Sequence, residues 1–234
     1  MTLAFDSFTL AASTADLAAE PTAREDADCI EFRMDLAEDP LGSLAAYDGD
    51  LPILATNRAE WEGGGAADPG RLDALATALE HDAVGAIDVE LDAIEGDVPD
   101  ATDRADALIE NAGAEGVPVV VSTHDFESTP PEPALAERLR RAADHGDVAK
   151  AAVTATDRSD ALSVLAVTHE LTREGVPVAT MAMGAAGSHT RAVAPVYGSR
   201  IGYAPVDPAK ATAPGQYDLE TLRGLVDRLS GNAV

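Results

Sequence analysis

Eight short apolar runs, each followed by a longer segment of mixed polarity, organise this chain from end to end. They are "SFTLAAS" (7–13), "CIEFRMD" (29–35), "LPILATNR" (51–58), "GAIDVEL" (85–91), "VPVVVSTH" (117–124), "DVAKAAVTA" (147–155), "VPVATMAMG" (176–184) and "SRIGYAPV" (199–206). Near-continuous apolar runs suit parallel strands covered on both faces, and parallel strands need crossovers, usually helical. The intervening segments carry helix signals. "DPGRLDALATALEHD" opens on Asp and Pro and then sets Leu72, Leu75 and Leu79 on one face. "TDRSDALSVLAVTHELTREG" puts Leu162, Leu165, Ala166 and His169 in helical phase and stops at Gly175. "DLETLRGLVDRLSG" starts on Asp218 as N-cap, turns Leu222, Val226 and Leu229 inward and stops at Gly231. No linker rich in Pro, Gly and Ser divides the chain. The pattern therefore predicts an α/β fold, a single-domain (β/α)8 TIM barrel over residues 1–234. A doubly wound open sheet is the alternative, but no G-x-G-x-x-G follows the first strand. Few residues precede that strand, and none is expected to close the barrel's bottom.

Composition narrows the solvent and the partners. Hydrophobic residues make up 46% of the chain and aromatics only 4%, so the core is built of Ala, Val and Leu. No run of eighteen apolar residues suits a membrane span, and the first basic residue, Arg24, comes too late for a signal peptide. The single cysteine, Cys29, fits a buried strand position in a reducing cytoplasm. A formal charge of −26 disfavours nucleic acid and anionic membranes as partners. The acid is spread over every segment, with only two lysines, which resembles cytoplasmic proteins of salt-loving archaea.

In a barrel of this kind chemistry gathers at the carboxyl ends of the strands. Glu31, Arg33 and Asp35 share one face of the second strand's end. Asn57 and Arg58 end the third, with Glu60 and Glu62 in its loop; Asp88 and Glu90 share a face of the fourth. Ser122 and His124 end the fifth, Lys150 lies on the sixth, and Met183 and Arg191 follow the seventh. Thr212 and Gln216 lie in the last loop. Lys150 stands out because it sits in an apolar run, where an ammonium group loses water at a cost of several kcal/mol unless paired. It fits a structural ion pair with Glu31, Asp88 or Glu90. It also fits an imine-forming amine, its basicity lowered by burial and by nearby arginines. His81 and His145 lie near helix C-termini, where structural roles fit. His169 sits mid-helix, and His189 precedes Arg191 without a role that the residues assign. "EGGG" (62–65) lacks the Lys and Ser/Thr of a phosphate loop, and no His, Cys and carboxylate cluster has metal-ligand spacing.

Taken together, "IEFRMD", "STHDFESTP", "DVAKAAV", "MAMGAAGSHTR" and "APGQ", in this order over nearly the whole chain, resemble type I 3-dehydroquinate dehydratases, the Schiff-base enzymes of the shikimate pathway. The resemblance implies that Lys150 forms an imine with the substrate ketone and that His124 acts as general base and acid. It implies that Arg191 clamps the carboxylate of 3-dehydroquinate, and that Glu31, Arg33, Arg58, Thr212 and Gln216 hold the rest of the substrate. Glu62 and Asp88 would orient and tune His124. No cofactor or metal is implied, and the family suggests a homodimer. Thr212 stands where the family often has serine, and Tyr203 where it commonly has phenylalanine. Another class I Schiff-base lyase or aldolase on a TIM barrel is the alternative enzyme, and a non-catalytic carboxylate-binding barrel is the alternative from another class.

Overall fold

The structure is a computed structural model that describes residues 2–96, 99–210 and 215–231, apart from the side chains of residues 99, 100 and 210. Thr212 lies outside the described residues. The strands are β1 (Thr9–Thr14), β2 (Cys29–Arg33), β3 (Ile53–Thr56), β4 (Val84–Glu90), β5 (Val119–Asp125), β6 (Val148–Thr154), β7 (Val178–Met183) and β8 (Ile201–Pro205). Each overlaps one of the eight apolar runs. The helices, in chain order, are α1 (Pro40–Ala45), α2 (Asp68–Leu79), α3 (Leu91–Glu95), α4 (Pro99–Glu115) and α5 (Glu132–Ala143). After these come α6 (Arg158–Arg173), α7 (Gly184–Gly187), α8 (Thr190–Val193) and α9 (Leu219–Leu229).

All the strand pairs are parallel, in the order β7-β6-β5-β4-β3-β2-β1-β8. The seam between β7 and β8 is stitched just before β8 begins. Arg200 N–H donates to Val178 O at 2.7 Å, and Thr180 N–H to Ser199 Oγ at 3.1 Å. The barrel thus nearly closes and leaves little free edge.

Strand alternation splits the apolar residues into two layers. Ile30, Phe32, Ile53, Ile87, Val89, Val119 and Val121 pack outward against the helices. Ala11, Cys29, Leu54, Ala86, Val120, Val148 and Ala179 fill the interior. Leu3 and Phe5 join that interior layer, and Leu3 N–H donates to Gly85 O at 3.0 Å. The segment before β1 therefore does close the bottom, contrary to expectation. A barrel lined by alanine is narrow there, so two apolar side chains suffice.

Three helix expectations need correction. On α6 the buried face is Ala161, Val164, Leu165, Val167, Thr168 and Leu171, whereas Leu162, Ala166 and His169 are exposed. The inner stripe is set one position away from Leu162, with Ala161 and Leu165 a helical turn apart on it. Leu229 of α9 is exposed, while Leu222 and Val226 are buried as expected and Asp218 caps Thr221 N–H. On α2, Pro69 has ψ 116 and Gly70 φ 84, so regular helix starts at Arg71. The left-handed φ needs glycine at position 70.

Candidate active site

Inward positions at the carboxyl ends of the strands are polar, and the barrel turns them toward one cleft. Its walls are Ser13, Glu31, Arg33, Thr56, Arg58, Glu62, Gly63, His124, Phe126, Lys150, Ala152, Met181, Met183, Arg191, Tyr203 and Gln216, around about 570 Å³ of empty space. Of the described residues given roles by the family resemblance, the cleft gathers all but Asp88, while Asp35, Asn57, Glu60, Glu90 and Ser122 do not line it. Asp88 lies one layer deeper, behind Lys150 and Arg58.

Strand register explains this assembly. Lys150 on β6 stands opposite Ser122 on β5, which stands opposite Glu90 on β4. Side chains at i and i+2 share a face, so Lys150 points inward with Val148 and Ala152. Its residue is 4% exposed. The amine donates to Asp88 Oδ2 at 2.9 Å, lies 3.8 Å from Glu31 Oε1 and sits 4.2 Å from the centre of the Tyr203 ring. The pairing and the catalytic position expected of this lysine coincide in one place. The Tyr203 hydroxyl is buried without a partner among the described residues.

Asp88 acts on His124 through its charge but touches other partners. Its carboxylate meets Lys150, Ser122 Oγ at 2.6 Å and Arg58 Nη2 at 2.6 Å, not His124. Burial opposes its ionisation, but Arg58 and Lys150 outweigh that and hold it well below the usual carboxylate range. Arg58 also donates to Ser122 at 2.7 Å and lies 3.1 Å from Glu90 Oε1. The acids around Arg58 prevail over its burial and raise its pKa. Arg33 makes a bidentate pair with Asp35 at 2.8 and 2.6 Å and not with Glu31. Glu31 instead accepts from Ser13 and, at 3.4 Å, from Thr56.

His124 faces Glu62, which is carried on the short turn Glu60–Glu62. His124 N–H donates to Glu62 Oε1 at 3.3 Å, and Nδ1 lies 3.2 Å from Glu62 Oε2, outside hydrogen-bond angle. Phe126 stacks on the imidazole at 5.8 Å and 7°. Burial, with Arg58 and Lys150 nearby, drives the His124 pKa well down and favours the neutral imidazole. Burial pushes the Glu62 carboxyl up to about 7, against the pull of Arg58.

Arg191, on α8, is buried and pairs with no carboxylate among the described residues. Its Nη1 touches Met181 Sδ at 3.7 Å, and its Nε has no partner among the described residues. Burial pushes its pKa down to about 10. A desolvated guanidinium without a carboxylate is built to receive an anion. Gln216 lines the same cleft. Ser13, Thr56 and Met181 were not anticipated, because a serine, threonine or methionine at a strand end carries no chemical signal until the barrel closes. Among the described residues, no group of three or more His, Cys, Asp or Glu side chains is placed to hold a metal ion.

The chain as a whole is similar to known proteins. A family model of type I 3-dehydroquinase matches residues 9–232. The 3-dehydroquinate dehydratase of Haloarcula marismortui is 64% identical over 98% of this chain and 99% of its own length. That of Halobacterium salinarum is 55% identical over 95% of this chain and 97% of its own. Among solved structures, 3-dehydroquinate dehydratase from Geobacillus kaustophilus superposes with a TM-score of 0.83 at 28% identity, covering 98% of this chain and 93% of that one. The type I enzyme from Clostridium difficile, solved with covalently modified comenic acid, gives 0.81 at 26% identity over 97% of this chain and 93% of that one. With a matching family model over nearly its full length and relatives this similar, the chain belongs to the type I 3-dehydroquinase family and is a hydro-lyase.

Proposed function

We propose that the chain dehydrates 3-dehydroquinate to 3-dehydroshikimate through an imine on Lys150. One observation carries the residue assignment: a buried lysine amine shares a cleft with a neutral histidine and an arginine that has no carboxylate partner among the described residues. Arg191 receives the substrate carboxylate and so sets the ring's orientation, which is worth most when fixed before reaction. The Lys150 nitrogen attacks the ketone carbon, and loss of one water from the carbinolamine leaves an iminium. Its positive charge acidifies the neighbouring carbon, from which His124 takes a proton. The resulting enamine expels the β-hydroxyl, which leaves as water with the proton that His124 returns. A water then hydrolyses the iminium and frees the amine, so one water is lost overall. Positioned proton transfer of this kind contributes roughly 10²–10⁴-fold. Glu62 supports the imidazole, Asp88 holds the amine, and Glu31, Arg33, Arg58, Gln216 and Thr212 surround the substrate's hydroxyls and carboxylate.

The reading extends to a homodimer of single-barrel subunits, supported by the family resemblance, and to the cytoplasm, supported by the single cysteine and the dispersed acidity; sedimentation in molar KCl checks the assembly. Borohydride trapping tests the chemistry. Incubation with 3-dehydroquinate and borohydride leaves a mass adduct on Lys150, and Lys150→Ala abolishes adduct and turnover together. An unmodified Lys150, with activity surviving the change to alanine, overturns the imine.

A further inference from the structure

We propose that Arg71 is a positioning residue for the dehydration, clamping the loop between β3 and α2 so that Glu62 stays against His124. This rests on the imine reading above. The loop runs from Asn57 to Asp68, contains three consecutive glycines at 63–65, and delivers both Arg58 and Glu62 to the cleft. Turn bonds within the loop and a bond from Gly65 N–H to Asp35 Oδ2 at 3.1 Å hold part of it, but a segment with that much glycine needs a further tie around Glu62 to keep one geometry.

Arg71 supplies it. The residue is 4% exposed and is the first of the regular part of α2. Its Nη1 donates to Glu90 Oε2 at 2.7 Å and to Asn57 O at 3.4 Å, and Asn57 Nδ2 returns a bond to Arg71 O at 2.9 Å. Its Nε donates to Asp68 Oδ1 at 3.2 Å, the same oxygen that accepts from Trp61 Nε1 at 2.9 Å. The guanidinium lies 5.6 Å from the centre of the Trp61 ring. Glu90, held by Arg71, accepts from Ala59 N–H at 3.1 Å and meets Arg58 at the same distance. The start, middle and end of the loop are thus tied to one side chain, which itself does not line the cleft. Glu62 faces Arg58 on its own loop, Glu90 on β4, Asp92 on α3 and His124 on β5. Loosening the clamp therefore changes both the position of Glu62 and the charge around it.

Three readings on Arg71→Met and Arg71→Lys test this: borohydride trapping, the pH profile of kcat, and emission from Trp61, the chain's only tryptophan. In Arg71→Met, trapping on Lys150 continues near the wild-type rate, because Asp88 still holds the amine. At the same time kcat falls roughly tenfold to hundredfold, the scale of a misplaced reacting group. Its limb between about pH 6 and 8 shifts, as the neighbourhood of a carboxyl near 7 changes. Trp61 emission moves to the red, and Arg71→Lys recovers part of kcat. A folded Arg71→Met with unchanged kcat and pH profile overturns the proposal, as does a parallel fall of trapping and turnover. Should Arg71→Met not fold, Arg71→Lys decides alone. It keeps the charge beside Glu90 but loses the Asp68 and Trp61 contacts, so wild-type kcat and pH profile in that variant overturn the proposal. If the wild-type protein itself yields no adduct, the imine reading fails and not the clamp.

Discussion

The Lys150 amine and Arg58 share one carboxylate: Asp88 Oδ2 accepts the lysine at 2.9 Å and Oδ1 the arginine at 2.6 Å. Asp88 is thus the acid common to both, with Glu90 beside Arg58 at 3.1 Å and Glu31 beside Lys150 at 3.8 Å. Asp88→Asn leaves both without it, and the cost is about 3–5 kcal/mol near neutral pH. The sign with pH follows from the depressed folded-state pKa of Asp88. Its contribution is complete above the unfolded value of about 3.9 and is lost as pH falls through the folded one. Urea unfolding of both proteins in molar KCl checks this: the gap between them is full at pH 7 and narrows below about pH 4.

Glu62 behaves in the opposite sense. Burial raises its carboxyl to about 7, above an unfolded value near 4.3, so ionising it costs the folded state stability as pH rises between the two. Relative to wild type, Glu62→Gln gains stability from pH 4 to 7, by something on the order of 3 kcal/mol. Turnover falls all the same, roughly tenfold to hundredfold, less than the loss of the proton-transferring group itself. Equal pH dependence of unfolding in the two proteins counts against this assignment.

On the proposed role, Arg191 trades stability for binding. Its charge is buried with Nε unsatisfied, and its pKa is pushed down to about 10, so the folded state carries the cost at every pH below that. Arg191→Met is therefore more stable when free of ligand, on the order of 1–2 kcal/mol. Its kcat/KM drops by about a hundredfold or more, because the substrate carboxylate loses a charge-assisted partner. Melting curves with and without 3-dehydroquinate separate the effects: ligand raises the wild-type Tm and leaves that of the variant unmoved.

The net charge makes a prediction for salt. A chain with 42 acidic and 16 basic residues repels an anionic substrate at long range, while Arg33, Arg58 and Arg191 attract it inside the cleft. At about 1 M salt the Debye length is near 3 Å, which removes the distant repulsion and leaves the buried contacts. We expect kcat/KM to rise with KCl into the molar range. A steady fall over that range, with circular dichroism unchanged, contradicts the account.

Much of this was legible along the chain. Eight apolar runs predict eight parallel strands because each strand is buried on both faces, and the polar residues at their ends predict one active rim. Lys150, His124 and Arg191 could be singled out as residue types in unusual company. Helix faces were less legible. In α6, Leu162 reads as core but is exposed, since the buried stripe runs through Ala161, Val164, Leu165, Thr168 and Leu171 and position 162 falls outside it.

The sequence by itself determined the strand count, the barrel class and which end of the barrel bears chemistry, because hydrophobic period and strand polarity are local properties. Only the tertiary structure decided partners. The Asp88 carboxylate bonds Lys150 and not His124, Arg33 pairs with Asp35, and Arg71 bonds the start of a loop it merely follows in the chain. Leu3 and Phe5 became the barrel's floor by the same means. Pairing among buried charges is set by register across neighbouring strands, where residues dozens of positions apart meet, and no one-dimensional spacing records it.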